Sequence, residues 1–250
     1  MPQADHESEY RFDGAVVMIT GASRGLGKAL ATAFSRAGAT VSLCARSPSS
    51  LESICAEITA AGGRCLARSV DVRDEQAVNA WVTETVEALG TPTVLINNAS
   101  LLGPRSPLAD FPLDSWREVL EVNLTGTLVV SRAVLRPMRE ARQGSIINVS
   151  SGAAIPPRKE WGAYAVSKDA LEGLSINLAS ELEGSGVRVN IVDPGAMRTG
   201  MRAAAYPSED PDTLKRPDTI GPLFLWLASD AAARVTGQRF QADDWMRQFG

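Results

Sequence analysis

Tyr164 and Lys168 stand four positions apart in WGAYAVSKDALEGL, where Leu171, Leu174 and Leu178 recur at helical spacing. That spacing puts the phenol and the ammonium on one face of a helix. A free tyrosine titrates at about pH 10, too high for efficient proton exchange near neutrality, and a nearby ammonium favours its phenolate. The pair can therefore serve as a general acid/base at a carbonyl or an alcohol. Taken alone, such a pair is usually a packed ring beside a solvated amine. Ser151, at the end of IINVSS, adds a hydroxyl able to hydrogen-bond a carbonyl oxygen.

A second group of residues suits a phosphate. TGASRGLG, Thr20 to Gly27, lies between an apolar run and a helical pattern. Gly21 permits a tight turn out of a strand, and Gly25 and Gly27 let backbone approach a pyrophosphate. The N–H groups around Ser23, Arg24 and Leu26, at the positive end of a helix, would face the anion. A structural turn or another nucleotide-like ligand is the competing reading. NAD sites place a carboxylate about 20 residues further on, but here the chain reads Cys44-Ala45-Arg46-Ser47, with no acid before Glu52. Arg46 and Arg24 could instead grip a 2′-phosphate, each charge-assisted bond being worth roughly 1.5–3 kcal/mol. Two solvated arginines are the alternative. NADP(H) is favoured over NAD(H).

These residues need a scaffold that brings them to one edge. Strand-like runs fall at 15–20, 40–45, 64–70, 93–97, 144–150, 187–192 and 238–242. Helical patterns lie between them at 25–37, 50–61, 74–89, 114–141, 162–184 and 217–229. Several of the runs are almost continuously apolar, as strands buried on both faces must be. The alternation predicts an α/β fold: a Rossmann-type, doubly wound, parallel seven-stranded sheet with helices on both faces. Residues 12–250 read as one domain after a polar, poorly ordered tail at 1–11. The ends of successive strands then carry the glycine loop, Asn97-Asn98-Ala99, Ser151 and Pro194-Gly195, the edge where such sheets bind ligands.

Bulk properties remove other classes. The 250 residues carry a net charge of −4, which argues against nucleic acid as a partner. No apolar run is long enough to span a membrane, and the opening lacks the apolar core of a signal peptide, so a cytoplasmic location is expected. His6 is the only histidine, excluding a histidine triad or a multi-histidine metal site. No metal is expected. Cys44, Cys55 and Cys65 read as buried reduced thiols.

TGxxxGxG, the serine after the fifth strand and YxxxK together resemble the short-chain dehydrogenase/reductase family, over about residues 12–242. The resemblance implies that Tyr164 exchanges the proton, that Lys168 lowers its pKa and holds the nicotinamide ribose, and that Ser151 polarises the substrate oxygen. Asn123 in EVNLTG matches the asparagine that positions a water in the proton relay. Asp71 matches the aspartate that accepts from the adenine amino group, with Val72 flanking the ring; Asp71 could alternatively cap the next helix. Asn97, Asn98 and Ala99 match the cofactor-lining segment, in which Ser100 replaces the usual glycine. Thr199 matches the threonine that meets the carboxamide.

Near the C-terminus, VTGQRFQADDWMRQFG departs from the family's VDGG-like turn. The stretch from Met197 to Asp218 resembles a bacterial branch with no assigned physiological substrate. A small, largely apolar carbonyl or alcohol substrate is expected, in a pocket walled by Leu101, Ala153, Ile155, Trp161, Met197, Met201 and Tyr206. The acidic stretch Glu209 to Asp212 reads as part of a lid too polar to pack permanently. Leu128, Val129, Leu171 and Leu178 on two long helices, with the family resemblance, suggest a homodimer or homotetramer. A 3-oxoacyl-thioester reductase shares the same catalytic set and would need a basic patch, for which Arg132, Arg136, Arg139 and Arg142 are candidates. A non-catalytic NADP sensor would usually have lost the tyrosine or lysine. A methyltransferase has no use for Ser–Tyr–Lys, and the related sugar-nucleotide epimerases are longer.

Overall fold

Alternating side chains decide how the sheet is built. In β1 (Val16–Thr20), Val17 and Ile19 point into one apolar layer and Met18 into the other, all fully buried. The same division recurs in β2 (Thr40–Ala45), β4 (Val94–Asn97), β5 (Gly144–Val149) and β6 (Val187–Asp193). A strand apolar on both faces is stable only with helices above and below it. β3 (Cys65–Ser69) and β7 (Arg239–Gln241) are the more exposed edges. All seven strands pair in parallel in the order β3-β2-β1-β4-β5-β6-β7. The computed structural model describes residues 10–154 and 158–249.

One face is covered by α1 (Gly25–Arg36), α2 (Pro48–Ala60) and, later in the chain, α8 (Gly221–Ala228), around Leu30, Phe34 and Phe224. The other carries α3 (Glu75–Leu89), α5 (Gly126–Ala141) and α6 (Gly162–Glu181), around Trp81, Val130 and Met138. The helix anticipated at 114–141 is divided. α4 (Leu113–Leu120) passes through a π-helical turn at Glu121–Thr125 before α5 begins. That wider turn contains Asn123, and such turns are often found at functional sites.

Three features depart from the sequence reading. A short helix, α7 (Gly200–Ala205), stands in the lid region. The chain continues past β7 into α9 (Ala242–Phe249), where Trp245 packs on Trp226 at 5.7 Å and on Phe249 at 5.5 Å. Cys55 and Cys65, expected as reduced thiols, are joined by a disulfide; only Cys44 is free and buried. The reason is geometric: α2 lies along β3 and sets the two Cα atoms 5.3 Å apart, within disulfide range. Among the described residues no helix is long and apolar enough to cross a membrane.

Candidate active site

The glycine loop is held open by its neighbours. Thr20 Oγ1 accepts from the Asn98 and Ala99 amides, both at 3.0 Å, and Asn98 Nδ2 donates to the Thr20 and Gly21 carbonyls at 2.9 and 3.0 Å. The end of β4 is thus stitched to the turn out of β1. Gly21 adopts φ +65°, and a Cβ there would come within 2.8 Å of Ala99 Cα. A Cβ on Gly27 would press into the Gly21 carbonyl and sit 2.6 Å from Asn98 Nδ2. Glycine is required at both positions, and the N-terminus of α1 is left facing a cavity of about 490 Å³.

That cavity brings the expected cofactor residues together. Ser23, Arg24, Gly25, Leu26, Arg46, Ser47, Asp71 and Val72 all line it. Asn98, Ala99, Pro194, Thr199, Tyr164 and Lys168 line it as well. Gly27 lies beneath the loop, and Gly195 borders the neighbouring pocket. Ser50 and Met201 also line the cavity, unforeseen there, as does Ser100 in place of the segment's usual glycine; Ser50 is signalled by its place in the first turn of α2. Asp71 does not cap α3. Asp74 does, accepting from the Gln76 and Ala77 amides at 3.0 Å. The Asp71 carboxylate is instead gripped by Arg73, with Nη2 to Oδ2 at 2.6 Å, which holds it below the usual carboxylate range.

Across the sheet edge the Ser–Tyr–Lys set assembles. Ser151 follows β5, and its Oγ accepts from the Ala153 amide at 3.2 Å. Lys168 is buried, donates from Nζ to the Val149 carbonyl at 2.8 Å, and lies 5.8 Å from the centre of the Tyr164 ring. Asn123 is fully buried and lines neither pocket. Its Oδ1 accepts from the Leu101 amide at 2.7 Å, and its Nδ2 donates to Leu101 O and Ser167 Oγ, each at 2.9 Å. It therefore ties the loop after β4 to α6, the helix that carries Tyr164.

The electrostatics differ from the expectation that Lys168 draws the phenol down. Burial is the largest influence and pushes Tyr164 up; the Ser151 hydroxyl opposes it, the Asp193 carboxylate adds to it, and the Ser100 hydroxyl opposes it again. Burial also pushes Lys168 itself down, to about 8. A stability consequence follows. The unfolded chain holds the Lys168 proton up to about 10.5, whereas the folded state releases it near 8. Between those values the unfolded state binds more protons, so stability rises with pH. Urea midpoints of the ligand-free protein should climb between about 8 and 9, and K168M should remove that climb; above about 9 the buried Cys44 thiol, which ionises in the unfolded chain first, opposes it.

Beside this cavity lies a second, of about 410 Å³, bordered by Ser151 and Tyr164. Leu102, Ala153, Trp161, Met197 and Met201 wall it, as the sequence leads one to expect of the loop after β4, the stretch after Ser151 and the lid. Leu101 faces the first cavity, and Tyr206 stands behind Trp161 at 6.0 Å between ring centres. Ile155 lies outside the described residues. The pocket is not mostly apolar: Arg158, Asp193 and Arg202 share its wall with Gln241 of β7 and Asp243 of α9. The acidic stretch of the lid, expected to be too polar to pack, is tied down. Arg202 grips Glu209 through two contacts of 2.6 Å, Arg198 meets Asp212 at 2.7 Å, and Arg202 also stacks on Tyr206.

Fold and site together define a class, and the comparisons agree. The family model described as short chain dehydrogenase matches residues 15–210. An uncharacterized oxidoreductase, YciK of Escherichia coli K12, is 36% identical over 230 residues, covering 91% of each chain. A putative short chain dehydrogenase from Pseudomonas syringae superposes with a TM-score of 0.90 at 37% identity, over 96% of this chain and 98% of that one. Another from Shigella flexneri, complexed with NADP, gives 0.89 at 34% identity, over 93% and 98%. The chain belongs to the short-chain dehydrogenase family and is an oxidoreductase.

Proposed function

We propose that the chain is an NADP(H)-dependent enzyme that reduces a carbonyl, or oxidises the matching secondary alcohol, on a small organic substrate. The observation that carries this is the position of Tyr164. It forms a wall of both the long cavity starting at Arg24 and Arg46 and the pocket holding Ser151. The residues present fit a dinucleotide, since the space that Cβ atoms would fill at Gly21 and Gly27 is kept clear beside the N-terminus of α1. Arg24, Arg46 and Ser47 would hold a 2′-phosphate, Ser23, Gly25 and Leu26 the pyrophosphate, and Asp71 and Val72 the adenine. Asn98, Ala99, Pro194, Gly195 and Thr199 would frame the nicotinamide end, with Lys168 on its ribose. The NADP complex of the Shigella flexneri relative supports the choice of cofactor.

When bound, the nicotinamide supplies or accepts the hydride. Tyr164 gives its proton to the substrate oxygen in reduction and takes it back in oxidation, Ser151 donates a hydrogen bond to the same oxygen, and Asn123 holds the surrounding loops. Trp161, Met197 and Met201 exclude water. The polar half of the pocket suits a substrate bearing a polar group as well as an apolar one. Against the acyl-carrier-protein reading, Glu75 and Glu140 dilute the basic face it needs, lying 4.0 Å from Arg132 and 3.3 Å from Arg136.

NADPH consumption with a panel of ketones, quinones, sugars and acyl thioesters tests the proposal. Turnover of at least one carbonyl class supports it, and none with any class sinks it. We also propose a homodimer or homotetramer. Leu171 and Leu178 turn out to be buried in the chain's own core, but Leu113, Val166 and Ile176 leave an apolar surface on α4 and α6. Light scattering that returned the monomer mass at micromolar concentration would contradict it.

A further inference from the structure

Beneath the Ser–Tyr–Lys set lies an ionic cluster that the reaction does not itself require. Asp193, at the end of β6, is 1% exposed, and Glu172, one turn after Lys168 on α6, is 6% exposed. Arg239 on β7 bridges them, with Nε donating to Glu172 Oε1 at 2.9 Å and Nη2 donating to Asp193 Oδ2 at 3.1 Å. Each carboxylate is tied onward to the site. Glu172 Oε1 accepts from Ser150 Oγ at 2.5 Å, next to Ser151, and Asp193 Oδ1 accepts from the Gly195 amide at 3.0 Å. One guanidinium on an edge strand thus links the ends of β5 and β6 to the helix carrying Tyr164 and Lys168. It comes from QRFQ, within the C-terminal stretch where this chain departs from the family pattern.

We propose that Arg239 is a positioning residue for the reacting set, holding Asp193 and Glu172 in place and cancelling their charge beneath Tyr164. Two buried carboxylates without a cation would be strongly unfavourable. Their field would also reach the phenol, because Asp193 already pushes Tyr164 towards its protonated form. The other groups around Tyr164 are accounted for. Ser151 and Ser100 act on the phenol directly. Lys168 is neutral in the alkaline range where a buried phenol titrates. Arg158, Arg202, Asp243 and its partner Lys215 stand around the pocket mouth, and Arg105 stacks behind Trp161. Asp193 and Arg239 are then the opposed charges whose removal should move Tyr164 in opposite directions.

The test titrates tyrosine in the ligand-free protein, so it stands apart from the proposed function, on which only the meaning of Tyr164 rests. The chain has three tyrosines, and the signal lost in Y164F identifies the relevant one. With isotope-labelled tyrosine followed by NMR, R239Q should move the Tyr164 midpoint up by roughly half a unit or more, or keep the phenol protonated to the alkaline limit of the fold. D193N should move it down by a similar amount, R239Q/D193N should return it towards wild type, and R239K should restore most of the charge effect. Should R239Q not fold, the downward shift in D193N and the wild-type-like midpoint in R239K decide the matter. Shifts of one sign in both R239Q and D193N, or no shift in either, overturn the proposal, since a merely structural loss gives no opposed pair.

Discussion

Y164F is expected to fold, to bind NADPH about as well as the wild type, and to lose at least roughly a hundredfold in kcat, the usual contribution of a positioned acid/base. The ring itself would stay, because it packs on Trp161 at 5.5 Å and is almost fully buried, so only the hydroxyl between the two cavities disappears. Calorimetry with NADPH separates binding from chemistry. Retained turnover would remove Tyr164 from the reaction, and lost NADPH binding would make its role structural.

R46A should weaken NADPH by roughly tenfold or more and leave NADH nearly unchanged, since one charge-assisted bond is worth about 1.5–3 kcal/mol. Arg46 borders the cavity end where an NAD enzyme would carry its acid, and its backbone carbonyl is anchored there by Ser69 Oγ at 3.3 Å. Fluorescence titration with both dinucleotides checks this. Equal or tighter NADH binding in the wild type would refute the assignment of the phosphate site.

The parts legible in the sequence are those governed by short-range rules. Buried parallel strands had to be apolar on both faces, and their ends had to meet at one edge, so the glycine loop, Ser151 and the Tyr164–Lys168 pair could be placed together. What escaped depends on partners distant in the chain. The disulfide needs α2 to lie along β3, and spacing alone does not reveal that. α9 is an eight-residue helix whose Trp245 finds its place only against Trp226. The polar half of the second pocket combines Arg158, Asp193 and Arg202 with Gln241 of β7 and Asp243 of α9, which meet only in the fold. The acidic stretch from Glu209 to Asp212 looks too polar to pack until the fold brings Arg202 to Glu209 and Arg198 to Asp212. The balance at Tyr164 was misjudged for a similar reason. Helical spacing predicted the neighbouring ammonium but not how completely both groups would be buried.

The central claim is that these cavities pass a hydride between NADP(H) and a substrate carbon while Tyr164 handles the proton. NADPH deuterated at the transferring position of its nicotinamide ring, used with the most active carbonyl of the panel, tests it most directly by mass spectrometry of the product. Deuterium is expected on the carbinol carbon of the alcohol formed by the wild type, with formation slowed at least roughly a hundredfold in Y164F. Product without deuterium, or labelled product formed equally fast by Y164F, would contradict it.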